Sequence, residues 1–277
     1  MNFSGTSLRG LSLTDGVAHV RTVAERYRSA AQQVGRRFVG AEVLEVGPGD
    51  NLGAALCLIG WGARRVVCLD RFDCLSEAHY EGAIYRALLE TLEPPERARA
   101  ESCCPWSRDS EHPITGAITY LPGCGLEDAH RALAANSFDC AVSNATLEHV
   151  RDVTAGVAAL AAVLKTDAWM FHEVDLRCHR RFEKISPLHF LTISNTLWRL
   201  MGSRLGAPNR IRINTYRKAF SATGFAIRED VLEQTDAAIA ERVFPSVDPA
   251  VRAADVADLQ PLVVRFTLAR GRAVSHG

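Results

Sequence analysis

The chain has 277 residues, of which 47% are hydrophobic and 23% charged, a composition that suits one large α/β domain able to bury a core without disulfides or metals. Its 32 basic and 32 acidic residues cancel, so there is no overall positive field to draw in nucleic acid. No stretch approaches the roughly 18 uninterrupted apolar residues of a membrane span, and the opening MNFSGTSLRGLSLTDG lacks the apolar core of a signal peptide.

In chain order, residues 15–38 place Val17, Val20, Val23, Ala24, Tyr27, Ala31 and Val34 at helical spacing. This predicts a leading helix covering the start of the main domain, with residues 1–38 as an N-terminal helical segment and 39–277 as the domain proper. AEVLEV (41–46) is a short buried strand that stops at the turn GPGD. LGAALCLIGWG (52–62) is the next helix, and RRVVCLD (64–70) a second strand ending on an acid. Residues 77–91 are expected to be helical. Residues 92–115, with Pro94, Pro95, Pro105 and Pro113, are expected to be a loop with one turn of helix at most. AITYL (117–121) and FDCAVS (138–143) are strands three and four. ATLEHVRDVTAGVAALAAVL (145–164) reads as one long helix and AWMFHEVDL (168–176) as strand five.

Residues 177–212 break the strand–helix rhythm. They mix Phe182, Phe190, Leu197 and Trp198 with arginine and histidine, the mixture expected of a helical cap over a pocket; a core role for the same apolar residues is the competing reading. The cluster Arg177, His179, Arg180, Arg181 and Lys184 is either a solvated turn or the rim of a pocket for an anionic or polar substrate. A helix at TYRKAFSATGF and strands at FAIREDVL and PLVVRFTLA finish the domain. The alternation predicts an α/β fold: a doubly wound, mostly parallel seven-stranded sheet with a helical insertion after strand five. The eight cysteines contain no CxxC pair and no zinc-site spacing. They are expected to be reduced thiols of a cytoplasmic protein, with the pair Cys103–Cys104 in a polar loop.

Three segments carry chemistry. In Val43-Leu44-Glu45-Val46-Gly47-Pro48-Gly49-Asp50-Asn51-Leu52-Gly53, a strand runs through a glycine turn into a helix. The turn brings bare backbone N–H groups close to a ligand at a helix N-terminus. A dinucleotide fingerprint would need glycine at position 52, where Leu52 stands. Glu45 is placed to face the ammonium of an amino-acid-like ligand. Asp70 lies 21 positions after Gly49, where an acid accepts from two ribose hydroxyls. Asn144, Ala145 and His149, after strand four, border the same crevice, because ligands of open α/β sheets bind beyond the carboxyl ends of the strands.

VLEVGPG, VVCLD, SFDCAVSNATLEHV and LAAVLK together resemble the class I S-adenosylmethionine-dependent methyltransferases, in the type-11 branch, over about residues 38–230. The resemblance implies the cofactor S-adenosylmethionine. Glu45, Gly47, Pro48, Gly49 and Asn51 would meet its methionine part, Asp70 and Arg71 its ribose, and Asn144, Ala145 and His149 would complete the wall. The family's acid after strand three is replaced by Cys124, so Leu126 or Glu127 would take over the adenine contact. The usual Pro-Gly turn is replaced by Lys165-Thr166-Asp167. The stretch HEVDLRCHRRF…PLHFL…LW…NRIR further resembles a narrower group associated with glycan or secondary-metabolite assembly. The expected activity is O- or N-methylation of a small molecule, a sugar or secondary metabolite, with no metal, nucleic acid or membrane involved. Three histidines are candidates for the base: His149 after strand four, His172 in strand five, and His179 just beyond it, the last favoured by its place on the acceptor side. A non-catalytic S-adenosylmethionine-binding regulatory protein is the alternative. A nicotinamide-dependent oxidoreductase is disfavoured by Leu52 and SNATLEHV.

Overall fold

A computed structural model describes residues 8, 10–75, 81–103, 116–179, 186–202, 207–251 and 255–270. Seven strands form one sheet: β1 (Glu42–Val46), β2 (Arg65–Leu69), β3 (Ile118–Leu121), β4 (Phe138–Asn144), β5 (Leu164–Asp175), β6 (Ala226–Gln234) and β7 (Pro261–Ala269), in the spatial order β3-β2-β1-β4-β5-β7-β6. β1 pairs in parallel with both β2 and β4, while β7 is antiparallel to β5 and β6. The expected doubly wound, mostly parallel sheet is therefore present. Its strand order reverses direction between β1 and β4, and the crevice opens at that reversal.

On one face lie α1 (Leu13–Gln33), α2 (Gly53–Gly60), α3 (Glu81–Leu89) and α4 (Pro94–Glu101). Tyr27, Leu56, Leu58, Tyr85 and Leu88 are buried in their shared core with β1 and β2. On the other face, α5 (Ala129–Ala132), α6 (Val153–Val163) and α8 (Ile213–Ser221) bury Leu160, Tyr216 and Phe220 against β4, β5 and β7. Ser12 caps α1 by accepting from Asp15 N, and Asp152 caps α6 by accepting from Ala155 N.

Several local expectations change. The prolines at 94 and 95 open the two-turn helix α4 instead of a loop, because the first helical position has no N–H to lose. Cys103, expected in a polar loop, is 2% exposed; Cys104 lies outside the described residues. The seven described cysteines are all free thiols. The long helix expected over 145–164 is a 3-10 turn at Leu147–His149 followed by α6. Ala145 takes a left-handed φ of 49° and Asp152 an extended cap conformation, and the two together interrupt the helix. β5 starts at Leu164, so Lys165, Thr166 and Asp167 are strand residues and not a turn.

The segment 177–212 contains a 3-10 turn at His189–Thr192 and α7 (Asn195–Gly202); Arg180, Arg181, Phe182 and Lys184 lie outside the described residues. The sequence reading ran from β6 straight into β7. The structure instead inserts α9 (Ala237–Val243) and three 3-10 turns between them. Cys178, Leu188, Phe190 and Leu191 pack with Ala240, Val247, Leu259 and Leu262 into a third core, so the described part of 177–212 forms a packed layer with this second excursion.

Arg212 fastens that layer to the sheet. It is 4% exposed and donates to the carbonyls of Leu176, Asp258, Leu259 and Pro261. Burial lowers its pKa to about 10, which leaves it charged at neutral pH. Arg212→Met would strand these carbonyls in a dry site, at about 1–3 kcal/mol for each one left unpaired. The expected result in urea denaturation is a loss of at least about 3 kcal/mol; a loss below about 1 kcal/mol would show that water or a rearranged chain satisfies them.

Candidate active site

At the carboxyl ends of β1, β2 and β4 lies a cleft of about 450 Å³, within the size range of small-molecule sites. β1 delivers Glu45 and then the glycine turn. Gly47 and Gly49 have φ of 68° and 77°. A side chain on Gly47 would also strike Thr146, with a Cβ only 2.3 Å from its Cγ2. The glycine is therefore required by packing against the segment after β4 as well as by backbone conformation. Thr146 secures that contact by donating to Gly47 O at 3.3 Å or Asn144 O at 3.1 Å.

Asp70, at the end of β2, is 8% exposed and accepts from Phe72 N at 2.9 Å and Gly49 N at 3.3 Å. It thus props the glycine turn while presenting its remaining lone pairs to the cleft. Burial raises its pKa to about 6, against the lowering effect of those backbone donors. Glu45 is 2% exposed on the cleft wall. Burial pushes its pKa up to about 7, although Cys68 and the Tyr27 hydroxyl donate to it. A buried acid in this condition is ready to be ionised by an arriving cation.

Asn51 accepts from Gly53 N through its side-chain oxygen, a local turn at the start of α2. Cys124, Leu126 and Glu127 form the wall after β3. One oxygen of Glu127 accepts from Arg151 N and Asp152 N. Asn144 accepts from Arg26, which also pairs with Glu173 at 2.7 Å.

The cleft brings together Glu45, Gly47, Pro48, Gly49, Asn51, Asp70, Arg71, Leu126, Glu127, Asn144, Ala145, His149 and His179. His172 is not among them. It is fully buried behind the sheet, hydrogen-bonded through Nδ1 to Ser143 Oγ at 2.8 Å and stacked on Phe220. Burial lowers its pKa to about 3. A ring closed off in this way cannot reach an acceptor, and we correct its candidacy as base on that ground. The α1 residues His19, Val20, Val23 and Tyr27 also line the cleft. The helical spacing of Val20, Val23 and Tyr27 predicts a covering helix, and the structure makes that face, together with His19, a wall of the cleft.

The remaining histidines meet at the far wall, with ring centroids 5.2 Å apart. His179 Nε2 lies 3.6 Å from Asp175 Oδ2. Burial pushes the Asp175 carboxyl up, but His179 and Arg177 outweigh it and hold the group well below the usual carboxylate range. Asp175 therefore stays ionised and can steady a protonated imidazole. Glu148, missed in the sequence, is 1% exposed beneath them. One of its oxygens accepts from Asp175 N, and the other has no partner among the described residues. Burial drives its carboxyl well above its ordinary range. Ligand atoms of Glu148, His149 and His179 all lie within 4.8 Å of one another, close enough to share one divalent cation. No sequence motif signals this group, because it joins two neighbours to a residue 30 positions on.

A family model described as a methyltransferase domain matches residues 19–230. No curated protein matches the chain. Among solved structures, it is similar to an S-adenosylmethionine-dependent methyltransferase from Mesorhizobium loti, with 19% identity, 91% of this chain and 100% of that one covered, and a TM-score of 0.50. A protein named YcgJ from Bacillus subtilis gives 15% identity, 91% and 100% coverage and a TM-score of 0.49. Phosphoethanolamine N-methyltransferase 2 of Haemonchus contortus gives 14%, 95% and 61%, and 0.48. At 19% identity the likeness to the Mesorhizobium loti protein shows the fold alone.

Proposed function

The chain belongs to the methyltransferase-domain family and is a class I S-adenosylmethionine-dependent methyltransferase, and from that premise we propose that it methylates a hydroxyl or amine of a small molecule, a sugar or secondary metabolite, using His179 as base. VLEVGPG and SNATLEHV support a place in the type-11 branch. The observation that carries the reading is the composition of one cleft. A glycine turn and two buried acids stand on one wall, and an imidazole backed by a carboxylate stands on the other.

The residues present fit the cofactor. Glu45, held near neutrality by burial, would face its ammonium; Asp70 would accept from the ribose hydroxyls; Leu126 and Glu127 would flank the adenine. Bound there, S-adenosylmethionine supplies a methyl group activated by sulfonium. The protein's task is then alignment and proton removal. Holding acceptor and donor in line lowers the barrier by roughly 7–11 kcal/mol. As the acceptor–carbon bond forms and the carbon–sulfur bond breaks, leaving a neutral thioether, His179 would take the acceptor's proton and Asp175 would stabilise the resulting imidazolium.

The role of Glu45 sets a pH dependence. Its carboxyl must lose a proton to face the ammonium, so below its pKa of about 7 binding carries the cost of that deprotonation. The affinity for S-adenosylhomocysteine, measured by calorimetry, should therefore fall about tenfold per unit as pH drops below about 7 and level off above it. Asp70, at about 6, adds a second step lower down. In Glu45→Gln only the lower step should remain. A flat profile between pH 6 and 8 in the parent would overturn the assignment of Glu45.

A further inference from the structure

Beside the cleft runs a second groove of about 520 Å³, lined by Arg71, Arg151, Arg199, Arg210, Trp198 and Asn209 among others. The two share Arg71, Phe72, His149 and Val150, so the groove opens onto the histidine wall. We propose that this groove binds a phosphoryl group of the methyl acceptor, making the substrate a phosphorylated small molecule; the inference rests on the reading of the histidine wall as the acceptor side.

Charge is the first argument. Several arginines elsewhere in the fold face a carboxylate within 3.0 Å, among them Arg21, Arg26, Arg97, Arg177, Arg217 and Arg265. Among the described residues, none of the four groove arginines has a carboxylate within ion-pair distance, and no acid lines the groove. Burial and then the Arg151 cation lower the pKa of Arg71, against the opposing effect of Glu127 and Asp128. Carboxylates act on Arg71 and Arg210 only from beyond ion-pair distance, Glu127 and Asp128 on the first and Asp248 on the second, so the groove keeps an excess of positive charge that an anion would answer. Guanidinium forks match phosphate oxygens in geometry, and a dianion answers this charge better than a single carboxylate.

Construction is the second argument. Arg210 is 2% exposed, yet it is held only by neutral partners. It donates to Ile193 O at 2.6 Å and Asn195 Oδ1 at 2.7 Å, and its guanidinium carbon lies 5.5 Å from the centre of the Trp198 ring. Its Nε has no partner among the described residues. Its φ is 64°, a strained conformation for a side-chain-bearing residue. The adjoining Asn209 donates to Leu147 O and Val150 O, which locks this wall to the turn carrying His149. In the sequence, Arg177, His179, Arg180, Arg181 and Lys184 read either as a solvated turn or as the rim of a pocket for an anionic or polar substrate. The structure clamps Arg177 between Asp175 and Glu233, which removes it from that role.

The test uses the full chain, first titrated with S-adenosylhomocysteine and then, loaded, with pyrophosphate, inorganic phosphate or acetate. The parent is compared with the double variant Arg151→Gln/Arg199→Gln, whose two sites are exposed and outside the cofactor cleft. The phosphates should bind the parent, weaken with added salt, and lose about tenfold or more in affinity in the variant, with S-adenosylhomocysteine affinity unchanged. Equal phosphate binding by parent and variant would overturn the proposal. Acetate binding as tightly as phosphate, or a single-stranded oligonucleotide binding far more tightly, would also overturn it. His179→Ala should keep its phosphate affinity, so a failure of the base assignment and a failure of the anion subsite give different results.

Discussion

Replacing His179 by alanine is expected to lower kcat by roughly 10²–10⁴-fold, the usual contribution of a positioned base, while S-adenosylhomocysteine affinity stays within about twofold of the parent. The reason for the split is geometric. His179 follows β5, whereas the glycine turn and Asp70 follow β1 and β2 on the far side of β4, and its near partner is Asp175 at 3.6 Å. Its loss removes the proton acceptor and leaves the donor pocket intact. Asp175→Asn should lower kcat less, since the imidazole remains but the protonated ring loses its counter-charge. A kcat within about threefold of the parent in His179→Ala, with a large loss in His149→Ala, would transfer the role to the neighbouring ring 5.2 Å away.

The second large effect belongs to Asp70. Asp70→Ala removes the acceptor for two ribose hydroxyls, and hydrogen bonds to a charged group contribute about 1.5–3 kcal/mol, so S-adenosylhomocysteine binding should weaken by about 10–150-fold. The same carboxylate receives Gly49 N and Phe72 N, so the variant also loosens the turn. Asp70→Asn removes the charge and keeps only one of the two backbone bonds, because Gly49 N and Phe72 N meet different carboxylate oxygens and an amide has one acceptor oxygen. Calorimetry showing parental affinity in Asp70→Ala would remove the ribose assignment.

The sequence was most legible where short-range rules govern. β-branched runs stopping at GPGD and at Asp70, a missing third glycine at Leu52, and strand–helix alternation are local patterns. The sheet, its winding and the glycine turn follow from them. Boundaries were lost where two local signals compete. Pro94 and Pro95 suggest a loop by composition but begin a helix, because proline's missing N–H costs nothing at the first helical position. Leu147–Glu148–His149 has helical spacing, but the left-handed Ala145 and the Asp152 cap break the run.

The sequence alone determined that this is a doubly wound α/β chain with a ligand crevice beyond β1, β2 and β4, since strand–helix alternation and the spacing of Asp70 from the glycine turn leave few alternatives. It could not rank three histidines, because alternation assigns a face and not an environment. Only the tertiary structure buried His172 against Phe220 and brought His179 to Asp175, His149 and Glu148. It alone turned α1 into a wall of the cleft and packed 186–202 onto the excursion between β6 and β7. The unpaired arginines are the clearest case. Arg71, Arg151, Arg199 and Arg210 are scattered over 140 positions of a chain with zero net charge. Which cations find a carboxylate and which face an empty groove depends on distances that only folding sets.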